Sequence, residues 1–226
     1  MRYRGIIIIV EGQTEEEFVN ESLRPWLNTF GIYDVRAIRI RTSKTAKGGN
    51  SDYIKFRNDI MRYLNQEQDI LITSFIDFFR LPNEFPNYQE AQKINSVEER
   101  IVFLEESIRK DINSERFTPY IQLHEFEALL FTDIKGFENI PKITGKQLYE
   151  ILTIMANYPN PELINDMPQT APSKRLERII PHYNKVLHGN YIILDNTLAV
   201  TLAKCPRFKN WLQSLVISLN PDIIFE

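Results

Sequence analysis

The feature that most constrains this chain is an unbroken apolar run, Ile6-Ile7-Ile8-Ile9-Val10, that ends at once on an acid, Glu11. A strand with one wet face alternates apolar and polar residues. A continuous β-branched run instead predicts a strand buried on both faces, as in a parallel sheet covered by helices. The run is far shorter than the roughly 20 residues that cross a bilayer, so neither a membrane span nor a signal-peptide core is expected.

The next segments supply the covering helices. Thr14-Glu15-Glu16-Glu17 fits a capping box with Thr14 as N-cap and Glu17 reaching back, and Phe18, Val19, Leu23, Trp26, Leu27 and Phe30 recur at helical spacing until Gly31. Val35–Arg41 reads as a second strand, 52–65 as a helix, and Ile70–Phe78 as a third strand. Two prolines make 81–86 a loop, Val97–Ile112 carries a helical stripe, and Pro119–Leu123 reads as a fourth strand before a helix at Glu127–Phe131. Beyond Thr132 the pattern turns helical, at Gly145–Ala156, Ser173–Leu187, Thr197–Ala203 and Pro206–Leu219. Tyr158–Pro172, with four prolines, is the expected loop or hinge. Strands alternating with helices predict an α/β fold with a parallel sheet at 1–135, and 136–226 reads as a helical C-terminal region packed on it.

Composition narrows the function classes. The formal charge of −3 and pI near 5.8 exclude a uniformly basic nucleic-acid coat protein, while leaving room for a local basic surface. The single cysteine, Cys205, can form neither an internal disulfide nor a thiolate zinc cage, which points to a reducing, cytoplasmic setting. Its place before Pro206 suits core packing.

In doubly wound sheets the functional crevice lies beyond the carboxyl ends of the strands. Acids stand there three times: Glu11 after strand one, Asp77 closing strand three, and Glu125 with Glu127 after strand four. Converging carboxylates suit Mg²⁺ or Mn²⁺, hard cations that prefer oxygen ligands and can polarise a phosphodiester. A single strand-ending acid is often a plain loop residue, so the argument rests on the coincidence of three. Glu16 and Glu17 are explained by the preference of a helix's first turn for acids. Glu15 lies one turn from Glu11 and is open to either reading.

Val10-Glu11-Gly12-Gln13-Thr14-Glu15 after a buried strand resembles the first motif of the Toprim domain in its OLD (overcoming lysogenization defect) nuclease variety. Thr42-Ser43-Lys44, Gly48-Gly49, Ile76-Asp77-Phe78, Leu81-Pro82, Leu123–Phe131 and Ala171-Pro172-Ser173-Lys174-Arg175-Leu176 complete an ordered set. Together they resemble the bacterial Toprim-like family known as domain of unknown function 4276, over nearly the whole chain. The resemblance implies a Toprim-like sheet and Mg²⁺- or Mn²⁺-dependent cleavage of DNA or RNA, often beside an ATPase partner in bacterial defence against phage. It makes Glu11 the Toprim acid, Glu15 the second acid of the first motif, and Asp77 the first aspartate of the Asp-x-Asp pair. Position 79 is Phe79 rather than aspartate, so a two-metal site depends on Glu125 or Glu127 for the missing carboxylate.

Basic residues are segregated. Arg36, Arg39, Arg41, Lys44 and Lys47 have no acid among them, and Lys44 and Lys47 are candidates to hold a phosphate backbone. Lys174 and Arg175 open a helix, where cations oppose the macrodipole; they are either phosphate contacts, with Lys174 a catalytic candidate, or a solvated helix start. His124 stands between strand four and the acids, either as ligand or acid catalyst or to orient Glu125. No dinucleotide fingerprint, P-loop or nucleophile elbow occurs. The rival reading is a non-catalytic Toprim-like subunit docking on an ATPase, which Phe79 favours.

Overall fold

The computed structural model describes residues 3–40, 52–164 and 169–225. β1 (Gly5–Val10) is buried at every position. It is followed by α1 (Gln13–Phe18), one π turn over Val19–Leu23, and α2 (Arg24–Asn28), after which Gly31 turns the chain at φ 77°. β2 (Asp34–Arg39) and β3 (Ile70–Asp77) flank β1, both parallel to it, with Ile8 opposite Ala37 on one side and Thr73 on the other. α3 (Asp52–Gln66), the short α4 (Tyr88–Ala91) and α5 (Val97–Ile112) come next in order. Ser96 starts α5 by accepting the Glu99 amide at 3.3 Å, and Asn113 ends it in the left-handed region at φ 51°.

The expected fourth strand is present in two pieces, β4 (Phe117–Thr118) and β5 (Ile121–Gln122), both parallel to β3. Pro119 has no amide to donate to a ladder. Ser74 takes over locally: its hydroxyl accepts the Tyr120 amide at 2.9 Å and donates to the Tyr120 carbonyl at 3.0 Å. The sheet order is β2-β1-β3-β4, with β5 also on β3.

Alternate side chains of β1 serve opposite faces. Ile7 and Ile9 pack with Phe56 of α3 and Ile101 and Ile108 of α5. Ile6, Ile8 and Val10 pack with Phe18, Phe126 and the C-terminal helices. Those helices are α6 (Lys135–Glu138), α7 (Gly145–Asn157), α8 (Pro172–Ile179), α9 (Lys185–Asn196), α10 (Leu198–Lys204) and α11 (Pro206–Leu219). α11 presses Leu212, Leu215 and Val216 into the same cluster, each worth about 1.5–3 kcal/mol of apolar burial. Trp211 stacks on Tyr120 at 4.3 Å and donates its indole N–H to Thr73 Oγ1 at 3.0 Å. The parallel sheet with helices on both faces and helices at the C-terminal end is therefore as expected. Among the described residues, no helix is long and apolar enough to cross a membrane.

Two local expectations need correction. The first helix is capped by Gly12, not Thr14, and the residue reaching back is Glu15, whose Oε2 accepts the Gly12 amide at 3.0 Å. Glu17 instead accepts from Gln13 at 2.7 Å and from Asn190 at 3.1 Å. The expected helix 173–187 breaks after Ile179, because a residue before proline disfavours helical backbone and Pro181 follows Ile180. A new helix then starts at Lys185.

Candidate functional site

The carboxyl ends of β1 and β3 and the chain beyond β5 open into a cleft of about 380 Å³ lined by Glu11, Asp77 and Glu125, with Lys174, Lys185 and Arg80 among them. Each acid is set by the end of a buried strand or by what its carboxylate holds. Glu11 is exposed directly after β1. Asp77 is the last residue of β3, and its Oδ1 accepts the Phe126 amide at 2.9 Å, which ties β3 to the start of the 3₁₀ helix Phe126–Thr132. Glu125 is buried and caps the start of α8: its oxygens accept the Ser173 amide at 2.9 Å and the Ser173 hydroxyl at 3.0 Å. Glu127 is buried against Lys185, Oε1 to Nζ at 2.9 Å.

Among the described residues, acids outnumber cations here. Burial pushes the Asp77 carboxyl well above the usual carboxylate range, and Glu15, Glu11, Glu127 and Glu125 push it further. Burial also raises Glu15, although the amide bonds and Lys185 pull against it, and raises Glu127 against the pull of Lys185. Burial works against the Lys185 charge, but Glu127, Glu125 and Asp77 outweigh it and hold the ammonium above its ordinary range. Five carboxylates thus share one neighbourhood, and mutual repulsion there is what a divalent cation relieves.

The donor set fits Mg²⁺ or Mn²⁺: every candidate ligand is a carboxylate oxygen. Among the described residues, no group of three or more His, Cys, Asp or Glu stands in a metal-holding arrangement. Several of these carboxylates already hold a protein donor, so rotation of their side chains is needed to bring a coordinating set together.

Glu11, Asp77, Glu125 and Lys174 therefore line one cleft, and Glu15 and Glu127 act on Asp77 from beside it. Lys174 pairs with Glu177 at 2.5 Å. Arg175 turns away: its Nε donates to the Thr170 carbonyl at 2.6 Å and its guanidinium lies over Tyr158 at 5.5 Å. His124 is buried at φ 65°, and its carbonyl accepts the Phe79 amide at 2.8 Å, so its backbone positions Phe79, which lines the cleft. Lys44 and Lys47 lie outside the described residues, as do Thr42-Ser43-Lys44 and Gly48-Gly49.

Sequence reasoning misses Lys185, Arg80 and Ser173. Lys185 carries the same kind of signal as Lys174, a cation in the first turn of a helix, but a helical pattern running on through Pro181 to Leu187 places it in a last turn, where a cation suits the macrodipole. Arg80 stands at φ 65° beside Phe79, with its guanidinium over that ring at 5.1 Å.

The model of a family described as domain of unknown function (DUF4276) matches residues 10–216. No curated protein matches the sequence. Among solved structures, the C-terminal region of the Xanthomonas campestris pv. campestris OLD protein is similar in two forms. The one phased with iodine has a TM-score of 0.45 at 14% identity over 96% of each chain. The one phased with platinum has 0.39 at 14% identity over 94% of this chain and 95% of that one.

Proposed function

The chain belongs to the DUF4276 family, and on that premise we propose that it is a divalent-metal-dependent nuclease hydrolysing phosphodiester bonds of DNA or RNA. The observation that carries this reading is the gathering of Glu11, Asp77 and Glu125 with Lys174 and Lys185 in one cleft at the strand ends. Glu11, Asp77 and Glu125 or Glu127 would hold Mg²⁺ or Mn²⁺, with Glu15 beside them. A bound ion of this kind supplies Lewis-acid polarisation of the phosphodiester and a lower pKa for its water.

The chain's own groups divide the remaining work. Lys174 and Lys185 set positive charge where phosphate charge develops, and Arg80 adds a third cation at the rim. Glu11, the exposed acid, is placed to accept a proton from attacking water. Ser173 keeps Glu125 oriented and so couples the start of α8, where Lys174 sits, to the carboxylates. The resemblance to OLD-type Toprim nucleases supports a role as effector in bacterial anti-phage defence beside an ATPase partner.

The test is incubation of the purified chain, with and without a candidate ATPase partner, against a DNA and RNA panel in Mg²⁺ and in Mn²⁺. Cleavage is expected, and Glu11→Ala should remove it; cleavage unchanged in Glu11→Ala would reject the site. Lys174→Ala should slow cleavage on the order of a hundredfold with metal affinity retained. One observation favours a second reading, a non-catalytic subunit regulating an ATPase. Phe79 occupies the place of a Toprim aspartate, and with it the cleft holds a ring where a ligand is expected.

A further inference from the structure

Beside the cleft, the helical region repeats one short device. Ile140-Pro141-Lys142-Ile143 and Ile180-Pro181-His182-Tyr183 are each closed by an amide-to-carbonyl bond of 3.1 Å from the fourth residue to the first. Lys142 and His182 stand third in these turns at φ 63° and 65°. Proline second and positive φ third is the signature of a type II turn, whose third place normally goes to glycine. The next residue caps a helix each time: Thr144 Oγ1 accepts the Gln147 amide at 3.3 Å, and Asn184 Oδ1 accepts the Leu187 amide at 2.9 Å. Ile140 and Ile180 are buried, so both turns are anchored in the core.

Between the two turns lies a cavity of about 480 Å³, within the size range of small-ligand sites. Pro141 and Pro181 give it apolar walls, Lys142, His182 and His188 give it donors, and among the described residues no aspartate or glutamate lines it. His188 Nδ1 accepts the Asn184 amide at 3.0 Å, which puts its ring proton on Nε2 as a donor. Two flat apolar walls, two imidazoles and an ammonium with no opposing acid suit a ligand that joins an aromatic ring to an anion. His182 is three residues before Lys185 of the carboxylate cleft, a span of at most about 11 Å along the chain.

We propose that this cavity is a nucleotide-binding subsite, taking one base between the proline and imidazole walls and its phosphate on Lys142 and His188. The ligand class rests on the cavity's own lining, and its use for a nucleotide flanking the scissile bond rests on the nuclease reading. A base lodged there must leave its stack, so the substrate this favours is single-stranded or locally unpaired.

The test measures binding in the full chain carrying Asp77→Asn, without metal, so that cleavage plays no part. The probes are a single-stranded tetranucleotide, the same tetramer with abasic sites, and adenosine monophosphate. The double variant Lys142→Gly, His182→Gly removes both side chains while glycine accepts the positive φ, so the melting temperature should hold or rise. It should bind the normal tetramer roughly five- to a hundredfold more weakly, the range of one base-stacking contact. Unchanged binding in the double variant would overturn the subsite. So would an abasic tetramer held as tightly as the normal one, since that is anion binding only. Adenosine monophosphate competing as well as the tetramer would make the ligand a free nucleotide; a tetramer that binds more tightly makes it a unit of the chain. Binding at this cavity in a wild-type protein that cleaves nothing, with or without an ATPase partner, would refute the nuclease reading and leave the subsite standing.

Discussion

The two ends of the same sheet carry clusters of charge built on opposite rules. At the amino ends, Arg36 holds Glu67 through two bonds of 2.6 and 2.7 Å, Arg4 reaches Asp34, Glu67 and Asp69, and the Glu67 carboxyl is pulled below its usual range by Arg36. At the carboxyl ends, acids face acids, and Asp77 is pushed up first by burial and then by four other carboxylates. Every acid in the first cluster has a guanidinium within reach. Among the described residues, the second cluster gathers more carboxylates than the cations Lys174, Lys185 and Arg80 around it. A fold gains nothing from repulsion of this kind, so the contrast separates a cluster that holds strands together from one that, on the nuclease reading, would take a cation.

The contrast breaks most sharply under mutation. Asp77→Asn keeps an acceptor for the Phe126 amide, so the fold should survive while cleavage falls at least about a hundredfold. Glu67→Gln should do the reverse, costing about 1 kcal/mol of stability for a partly solvated ion pair while leaving cleavage unchanged. Chemical denaturation and a cleavage assay on both variants read the two effects. A loss of activity in Glu67→Gln, or of folding in Asp77→Asn, would erase the distinction.

Divalent cations should act on one end only. At a free concentration of about a hundred times Kd, Mg²⁺ or Mn²⁺ should stabilise the chain by about 2.7 kcal/mol, and Asp77→Asn should remove most of that gain. The same thermal shift should persist in Glu67→Gln. An equal shift in all three proteins would place the ion elsewhere.

The ends should also differ in their response to pH. Asp77, Glu15 and Glu127 hold protons more tightly when folded, so their contribution is greatest at low pH and is lost as pH rises through their folded pKa values. Glu67 has the opposite shift; its contribution is present above the ordinary carboxylate range and is lost only in acid below it. Between pH 5.5 and 8 the amino end is therefore flat and the carboxyl end slopes. Without metal, the chain should be more stable at pH 5.5 than at pH 8, and Asp77→Asn should flatten the slope. A rise in stability toward pH 8 would contradict this charge balance.

The two ends are unequally legible in the sequence. Glu11 and Asp77 are readable because each acid follows a buried apolar run, and a strand buried on both faces aims its last residue at the crevice. The split of strand four is foreshadowed by Pro119, whose missing amide cannot join a ladder. The amino-end cluster is not readable, because Arg36 and Glu67 lie 31 residues apart and meet only through the registers of β2 and β3 on β1. Ser173 on Glu125 spans 48 residues, through the packing of α8 against the chain beyond β5. Lys185 is hidden by a helical pattern that runs straight through Pro181, and placing the break correctly exposes it as a helix-starting cation. Arg175, adjacent to Lys174 in sequence, stands about 100° further round the helix and donates to the Thr170 carbonyl instead.

The smallest expected effect sharpens the comparison at Phe79. Its amide is fixed by the His124 carbonyl and its ring lies in the cleft under Arg80. Phe79→Asp would place another carboxylate among those that already push Asp77 up. Without metal that addition should cost about 1 kcal/mol, since the ring's contact with Arg80 is lost and repulsion grows, although the guanidinium can pair with the new acid. With Mn²⁺ the cost should reverse, giving a larger thermal shift than the wild type shows. That outcome would mean the backbone at position 79 is already placed to deliver a ligand, and that the phenylalanine alone limits the site. If Phe79→Asp instead loses stability equally with and without Mn²⁺, position 79 does not face the ion. The carboxyl end would then bind its cation through Glu11, Asp77 and the Glu125–Glu127 pair without help from that position.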